Sequence, residues 1–219
     1  MPYLRPIAAK DDRLDKIRQV YDSDPDAYDR AMSCGVSSWV FRRGRTEVGE
    51  AAGVGRVLEV GIGTGATMGF YRPGVELTGI DLSPGMLEVA RRNAARLGSA
   101  AELREMDAQH LEFPDRSFDA VVFTLCLCTI PDPELAIREG LRVARPGAPM
   151  IFLEHVRSNL PPVVVLQWLL NLFTVPTQND HWDRRTPELV RACGITVRSE
   201  RRWLLGVFDL LIGEAPPVG

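Results

Sequence analysis

Val57-Leu58-Glu59-Val60-Gly61-Ile62-Gly63-Thr64-Gly65 decides the fold when read with Asp81, which closes the run Val75-Glu76-Leu77-Thr78-Gly79-Ile80 and stands 20 residues after Gly61. Both apolar runs have strand length, so the glycines fall on a strand-to-helix turn and the carboxylate on the tip of the next strand. Glycines let the backbone turn tightly and approach a ligand closely. A carboxylate at the neighbouring strand end can accept both hydroxyls of a ribose. The pairing implies a nucleotide cofactor that carries a sugar.

The spelling of the loop narrows the cofactor. Gly61, Gly63 and Ala66 satisfy the dinucleotide pattern G-x-G-x-x-G/A. Against that reading, a third glycine comes at Gly65, Glu59 stands two positions before Gly61, and about a quarter of the chain precedes the motif. These features resemble the first motif of class I S-adenosylmethionine-dependent methyltransferases, E/D-x-G-x-G-x-G. The resemblance implies S-adenosyl-L-methionine as cofactor, S-adenosyl-L-homocysteine as product, and Glu59, Gly61, Gly63 and Gly65 in a loop packed on the methionine part. Asp81-Leu82-Ser83-Pro84-Gly85-Met86-Leu87 resembles the second motif, with Asp81 holding the ribose and Leu82 or Met86 covering the adenine. Asp107-Ala108 resembles the pair that meets the adenine amino group. Phe118 to Leu125 resembles the fourth strand, with Leu125 at the cofactor edge, and Leu141 to Ala148 the turn before the fifth. Ala148 stands where the family usually has a glycine. The resemblance covers roughly residues 15 to 215.

With 219 residues, 45% hydrophobic and 25% charged, the chain can bury a sizeable core as one globular unit. A net charge of -3 argues against a general nucleic-acid binder, so no nucleic-acid partner is expected. Cys34, Cys126, Cys128 and Cys193 lack C-x-x-C spacing, and a reduced cytoplasmic interior accounts for them. Cys126 and Cys128 are expected on the fourth strand, sharing a face as core thiols. Met1 to Pro6 lacks the apolar core of a signal peptide.

The pattern predicts a doubly wound α/β fold with a mainly parallel, seven-stranded sheet and a C-terminal antiparallel hairpin. Residues 11 to 32 read as helical, broken near Asp24-Pro25, and 34 to 45 as irregular. Residues 1–45 would form a helical lid and 46–219 the methyltransferase domain, with an insertion at about 155–186. Strands are expected at 56–60, 75–80, 103–106, 118–125 and 150–154. Helices should start near Thr67, at Pro84 behind the cap Ser83, near Glu134, and behind a Thr186-Pro187-Glu188 cap. Residues 195–201 and 204–213 would form the hairpin.

Ligands of an open parallel sheet sit beyond the carboxyl ends of its strands, so two segments could cover the site. In the first, Tyr21 and Tyr28 belong to Y-D pieces that resemble the opening of quinone C-methyltransferases and phospholipid N-methyltransferases. There the first tyrosine reaches cofactor or substrate, and the alternative is that both rings pack on the core. The second is Pro161 to Pro176, in which a helix from Val163 to Val175 would be roughly 20 Å long, too short to span a ~30 Å hydrocarbon layer. It could be a buried lid, a wall for an apolar substrate, or a membrane-surface contact. Trp39, Val40 and Phe41 followed by Arg42, Arg43 and Arg45 could add a basic interfacial patch.

Glu154-His155-Val156-Arg157-Ser158, the run Thr124 to Thr129 and the apolar insertion resemble a branch with phospholipid N-methyltransferases and alkyl-thiol methyltransferases. His155 and Tyr21 are candidate catalytic residues, and Tyr28, His155, His181 and Trp182 candidate substrate contacts. His110 is expected on a solvated turn. Asp180, His181 and Asp183 do not form a recognisable metal pattern, and no metal is expected. The expected acceptor is an apolar small molecule or lipid, such as a phospholipid amine or quinone-like ring, for a cytoplasmic enzyme with possible inner-membrane contact. A small thiol or specialised metabolite is the alternative, followed by an NAD-dependent oxidoreductase.

Overall fold

Successive residues of a strand face opposite sides of its sheet, and here both sides of the central strands are dry. A computed structural model describes the backbone of residues 12–33 and 35–217, with side chains at 13–32 and 38–217; Cys34 lies outside the described residues. Strands β1 (Gly55–Val60), β2 (Val75–Asp81), β3 (Glu102–Glu105), β4 (Ala120–Thr124) and β5 (Pro149–His155) run parallel, and β7 (Phe208–Glu214) is antiparallel to both β5 and β6 (Thr196–Trp203). The order is β3-β2-β1-β4-β5-β7-β6, the expected seven-stranded sheet with its terminal hairpin. Leu58, Phe123, Met150 and Phe152 pack one core with Ile137, while Val57, Val122, Ile151 and Leu153 pack the other with Val48 and Leu87.

Helices cover both faces. α4 (Pro84–Leu97) starts as expected: Ser83 Oγ accepts the Met86 N–H at 3.0 Å, Pro84 occupies the first turn, and Gly98 ends it at φ +66°. α5 (Pro133–Val143) is capped by Asp132, α6 is Pro161–Gln178, and α7 is Thr186–Ala192 with Arg185, one residue before the expected cap, at the capping position.

Three expectations are corrected. Residues 35 to 45, expected to be irregular, are helical: α3 runs from Gly35 to Ala52, across residue 45. Gly44 and Gly49 are packing devices, since a Cβ on Gly49 would lie 1.9 Å from the Phe70 carbonyl oxygen and one on Gly44 3.0 Å from Leu153. No α-helix follows the glycine loop either; only a 3-10 turn, Met68–Phe70, forms there. Cys126 and Cys128 lie beyond β4, buried in the turn that follows it.

The amino-terminal helices α1 (Asp12–Ser23) and α2 (Pro25–Ser33) break at Asp24, whose side chain accepts the Ala27 N–H at 2.8 Å. They lie over the sheet edge. Asp22 Oδ1 accepts from Gly85 N at 2.8 Å, Arg18 Nε donates to the Leu82 carbonyl at 3.2 Å, and Asn93 Nδ2 joins Asp29 at 3.0 Å to the Thr64 carbonyl at 2.9 Å.

Candidate cofactor cleft and acceptor site

The glycine loop needs each glycine for a different reason. Gly61 (φ +66°) passes so close to Cys126 that a Cβ would sit 2.3 Å from its Cβ, whereas Gly65 (φ +79°) packs on Met68. A Cβ on Gly63 (φ +56°) meets nothing within 4 Å, because it points into open space. That space is a cleft of about 970 Å³, partly open to solvent, at the carboxyl ends of β1, β2 and β4. Glu59, Gly61, Gly63, Asp81, Leu82, Met86, Asp107, Ala108 and Leu125 all line it with Tyr21 and Tyr28; Gly65 does not.

Asp81 ties the loops together. Its Oδ2 accepts the Gly63 N–H at 2.8 Å and its Oδ1 the Ser83 N–H at 2.9 Å. Burial raises its carboxyl above the ordinary range, against the pull of those backbone donors. Asp107 is held by Gln109, whose amide N–H and Nε2 donate to its Oδ1 at 2.9 and 3.0 Å. Leu125 occupies the left-handed region at φ +51°, a strained backbone at the mouth of β4.

Beneath the loop, Glu59 is 1% exposed and accepts the Tyr71 hydroxyl at 3.0 Å. Burial pushes its carboxyl up to about 7, with Tyr71, Thr67 and the Arg45 guanidinium working against the rise. Arg45, read from sequence as part of a surface patch, is instead buried and lines the cleft; Phe41 is buried too, and only Trp39, Arg42 and Arg43 of that patch are exposed. Tyr21 and Tyr28 meet edge to face, centroids 5.9 Å apart. Burial and the neighbouring thiol and carboxylates raise both hydroxyls well above their ordinary value, so both stay protonated.

The expected acceptor residues divide. His155, at the end of β5, is buried; its Nε2 lies 3.1 Å from Asp180 Oδ1 and its ring stacks on Trp182 at 4.5 Å. Burial works to raise the Asp180 carboxyl, but the His155 hydrogen bond and charge outweigh it and hold it below the ordinary range. The pair does not line the cleft; its charge is felt there through Tyr21 and Tyr28, both raised by Asp180. His181 belongs to a separate groove with Asn179, Arg184 and Arg185, and His110 is exposed as expected. Cys128, His155 and Asp180 place donor atoms within 4.8 Å of one another. Burial and the carboxylates of Asp180 and Glu154 push the Cys128 thiol up, so without an ion it stays protonated. The sequence reading missed Asp180, Arg45 and Glu154. Glu154 is buried and braces the β4 exit by accepting the Cys126 and Leu127 N–H groups at 3.0 and 3.1 Å.

An open parallel sheet with a terminal antiparallel hairpin, a glycine loop and an acidic tip on the next strand define the class I methyltransferase fold. Comparison with known proteins agrees. A family model described as a methyltransferase domain matches residues 58–152. The chain is 39% identical over 133 residues to a phosphatidylethanolamine N-methyltransferase from Cereibacter sphaeroides, covering 60% of this chain and 66% of that protein. It is 35% identical over 156 residues to a demethylmenaquinone methyltransferase from Tropheryma whipplei, covering 67% and 63%. It thus spans just under two thirds of the length of these relatives. Among solved structures, the cyclase SpnF superposes with a TM-score of 0.76 over 93% of this chain and 96% of that one; at 20% identity this shows the fold alone. The chain belongs to the class I S-adenosylmethionine-dependent methyltransferases.

Proposed function

We propose that this protein transfers the methyl group of S-adenosyl-L-methionine to an apolar small molecule or lipid at a membrane surface. The observation that carries the reading is the lining of the cleft: beyond the open space at Gly63, its wall is Leu14, Ile17, Met32, Leu125 and Ile130 with the two tyrosine rings. Apolar walls with few polar groups suit a greasy acceptor. The names of the two relatives, a phospholipid N-methyltransferase and a quinone-precursor methyltransferase, support the same class.

The residues fit the cofactor. Gly63 leaves its space unfilled, Asp81 stands where a ribose would lie, and Met86 and Leu82 offer apolar contact for a base. When bound, S-adenosylmethionine supplies a methyl group already activated on a sulfonium. The protein's task is then positioning, which can be worth about 7 to 11 kcal/mol. Tyr21 and Tyr28, protonated, orient the acceptor as hydrogen-bond donors and close the cleft with α1. We assign His155, held at Nε2 by Asp180 and with its buried Nδ1 unpartnered, as the group that takes the acceptor's proton. A dinucleotide reading is disfavoured by the 3-10 turn after the loop, since a pyrophosphate would need the amino end of a helix there.

The test is transfer of label from methyl-labelled S-adenosylmethionine to a bacterial lipid extract, with organic and aqueous phases then separated. Label in the organic phase is expected. A protein that binds the cofactor but labels only aqueous thiols or nothing would overturn the reading.

A further inference from the structure

Helix α6 is built with its polarity reversed. Gln167, its one buried residue, donates from Nε2 to the carbonyls of Val156 and Trp182, both at 2.8 Å, and accepts the Ser158 N–H at 2.9 Å. Asn171 donates to Asp183 at 2.6 Å and accepts the Trp182 N–H at 2.8 Å, and Thr174 Oγ1 donates to the Asp180 carbonyl at 2.7 Å. The polar stripe is therefore the face turned to the protein. Val165, Leu166, Trp168, Leu169, Leu170, Leu172 and Phe173 face outward, between 38% and 73% exposed. At about 100° per residue they cover an arc of roughly 200°.

A second apolar element abuts the first. Leu204 and Leu205 occupy consecutive left-handed positions, φ +48° and +58°, in the β6–β7 turn, and are 48% and 67% exposed. Glycine and asparagine are the residues such positions favour, so two leucines there sacrifice turn stability for an apolar tip. The turn is fastened to the start of α6: Ser158 Oγ donates to the Leu205 carbonyl at 2.6 Å, and the Leu160 N–H to Ser158 Oγ at 3.1 Å. Residues 158–178 and 203–208 contain no charged side chain.

We infer that the outer face of α6, with Leu160 and the Leu204–Leu205 turn, docks on the acyl-chain boundary of a lipid bilayer. Among the described residues no helix is long and apolar enough to cross a membrane, and α6, about 27 Å long, lies along the surface. The arc decides the occupant. A helix against one protein face presents a stripe of roughly 100°, and a second copy would leave half of this surface wet, whereas a fluid apolar phase wraps all of it. Lys16, whose ammonium donates to the Pro176 carbonyl at the far end of α6, sits at headgroup level. The inference deepens the function proposed above by naming where the acceptor resides. The docked helix also holds Asp180 and Trp182, the two partners of His155.

The full chain, without cofactor, is floated with phosphatidylcholine vesicles at low and high salt. Binding that survives high salt is expected, with quenching of tryptophan emission by brominated acyl chains that Trp168→Phe largely removes. Leu204→Asn with Leu205→Gly suits the turn better, so the variant should keep or raise its thermal midpoint while losing at least ten-fold in vesicle affinity. Four results would overturn the inference: no flotation of folded protein, binding only to anionic vesicles and abolished by salt, unchanged affinity in the folded turn variant, or a sedimenting dimer that shields Trp168 without vesicle binding. Because no methyl transfer is measured, failure here is separable from failure of the proposed reaction.

Discussion

The Asp81 carboxylate accepts the Gly63 N–H at 2.8 Å, so the acidic tip of β2 holds in place the residue that leaves the cofactor its room. Asp81→Ala removes this bond and the one to Ser83 together. Affinity for S-adenosylhomocysteine by calorimetry should fall at least 100-fold, roughly 2.7 kcal/mol, and an affinity within threefold of the parent would refute the assignment.

Gly61 and Gly63 separate packing from binding. Gly61→Ala drives a methyl group into Cys126 and should lower the thermal midpoint by several degrees, a cost of about 1–3 kcal/mol. Gly63→Ala bears the same positive-φ strain as Gly61→Ala but meets no neighbour, so it should lose less stability while its methyl group intrudes on the cofactor's room and weakens binding. Calorimetry and a melting curve on both variants check the pair; equal destabilisation would contradict it.

Glu59 sets a pH dependence. Its folded-state value is about 7 against an ordinary 4.5, so the native state holds the proton more tightly. The stability this contributes is complete below pH 4.5 and is lost as pH rises through 7, by roughly 3 kcal/mol. Glu59→Gln, uncharged throughout, should match the parent near pH 4.5 and exceed it at pH 8 in urea midpoint. A gap that does not change with pH would show that Glu59 does not titrate in this range.

In the proposed reaction Asp180 acts through His155, whose Nε2 lies 3.1 Å from its Oδ1. Asp180→Asn should lower kcat roughly 10²-fold and shift its pH profile while leaving cofactor affinity unchanged. Its folded carboxyl lies below the ordinary 3.8, so the stability it adds is present above that value and lost as pH falls further. Equal losses in kcat at every pH would reduce Asp180 to a structural brace.

Gln167→Ala leaves two carbonyls and an N–H without partners and should cost about 2–4 kcal/mol. Limited proteolysis should then cut within residues 158–183, where the parent resists.

The strands and α4 were legible because their signals are local: apolar runs ending in glycine or aspartate, and Ser83-Pro84 opening a helix that Gly98 closes. α3 was not, since Gly44 and Gly49 look like breakers until the chain they pack against, Leu153 and Phe70, is in place. The glycine loop announced a helix at Thr67 that shrinks to a single turn. Asp180 was hidden for the opposite reason: its partner His155 is 25 residues away, and only α6, lying between them, brings them together. The inverted face of α6 could be suspected from Gln167 and Asn171, four residues apart, but which face meets the protein depends on Val156, Ser158 and Trp182.

The lone 3-10 turn after Gly65 also shapes the electrostatic selectivity of the cleft. No helix directs the positive end of its dipole at the glycine loop, and at the start of α4 the free N–H groups of Gly85 and Met86 are already taken by Asp22 and Ser83. Phosphate oxygens find no free helix amino end here, and a cationic sulfonium meets no opposing helix dipole. Any preference for a cationic over a phosphorylated adenosine ligand must therefore come from the cleft's own side chains, where Asp81 and Glu59 stand against Arg18 and Arg45.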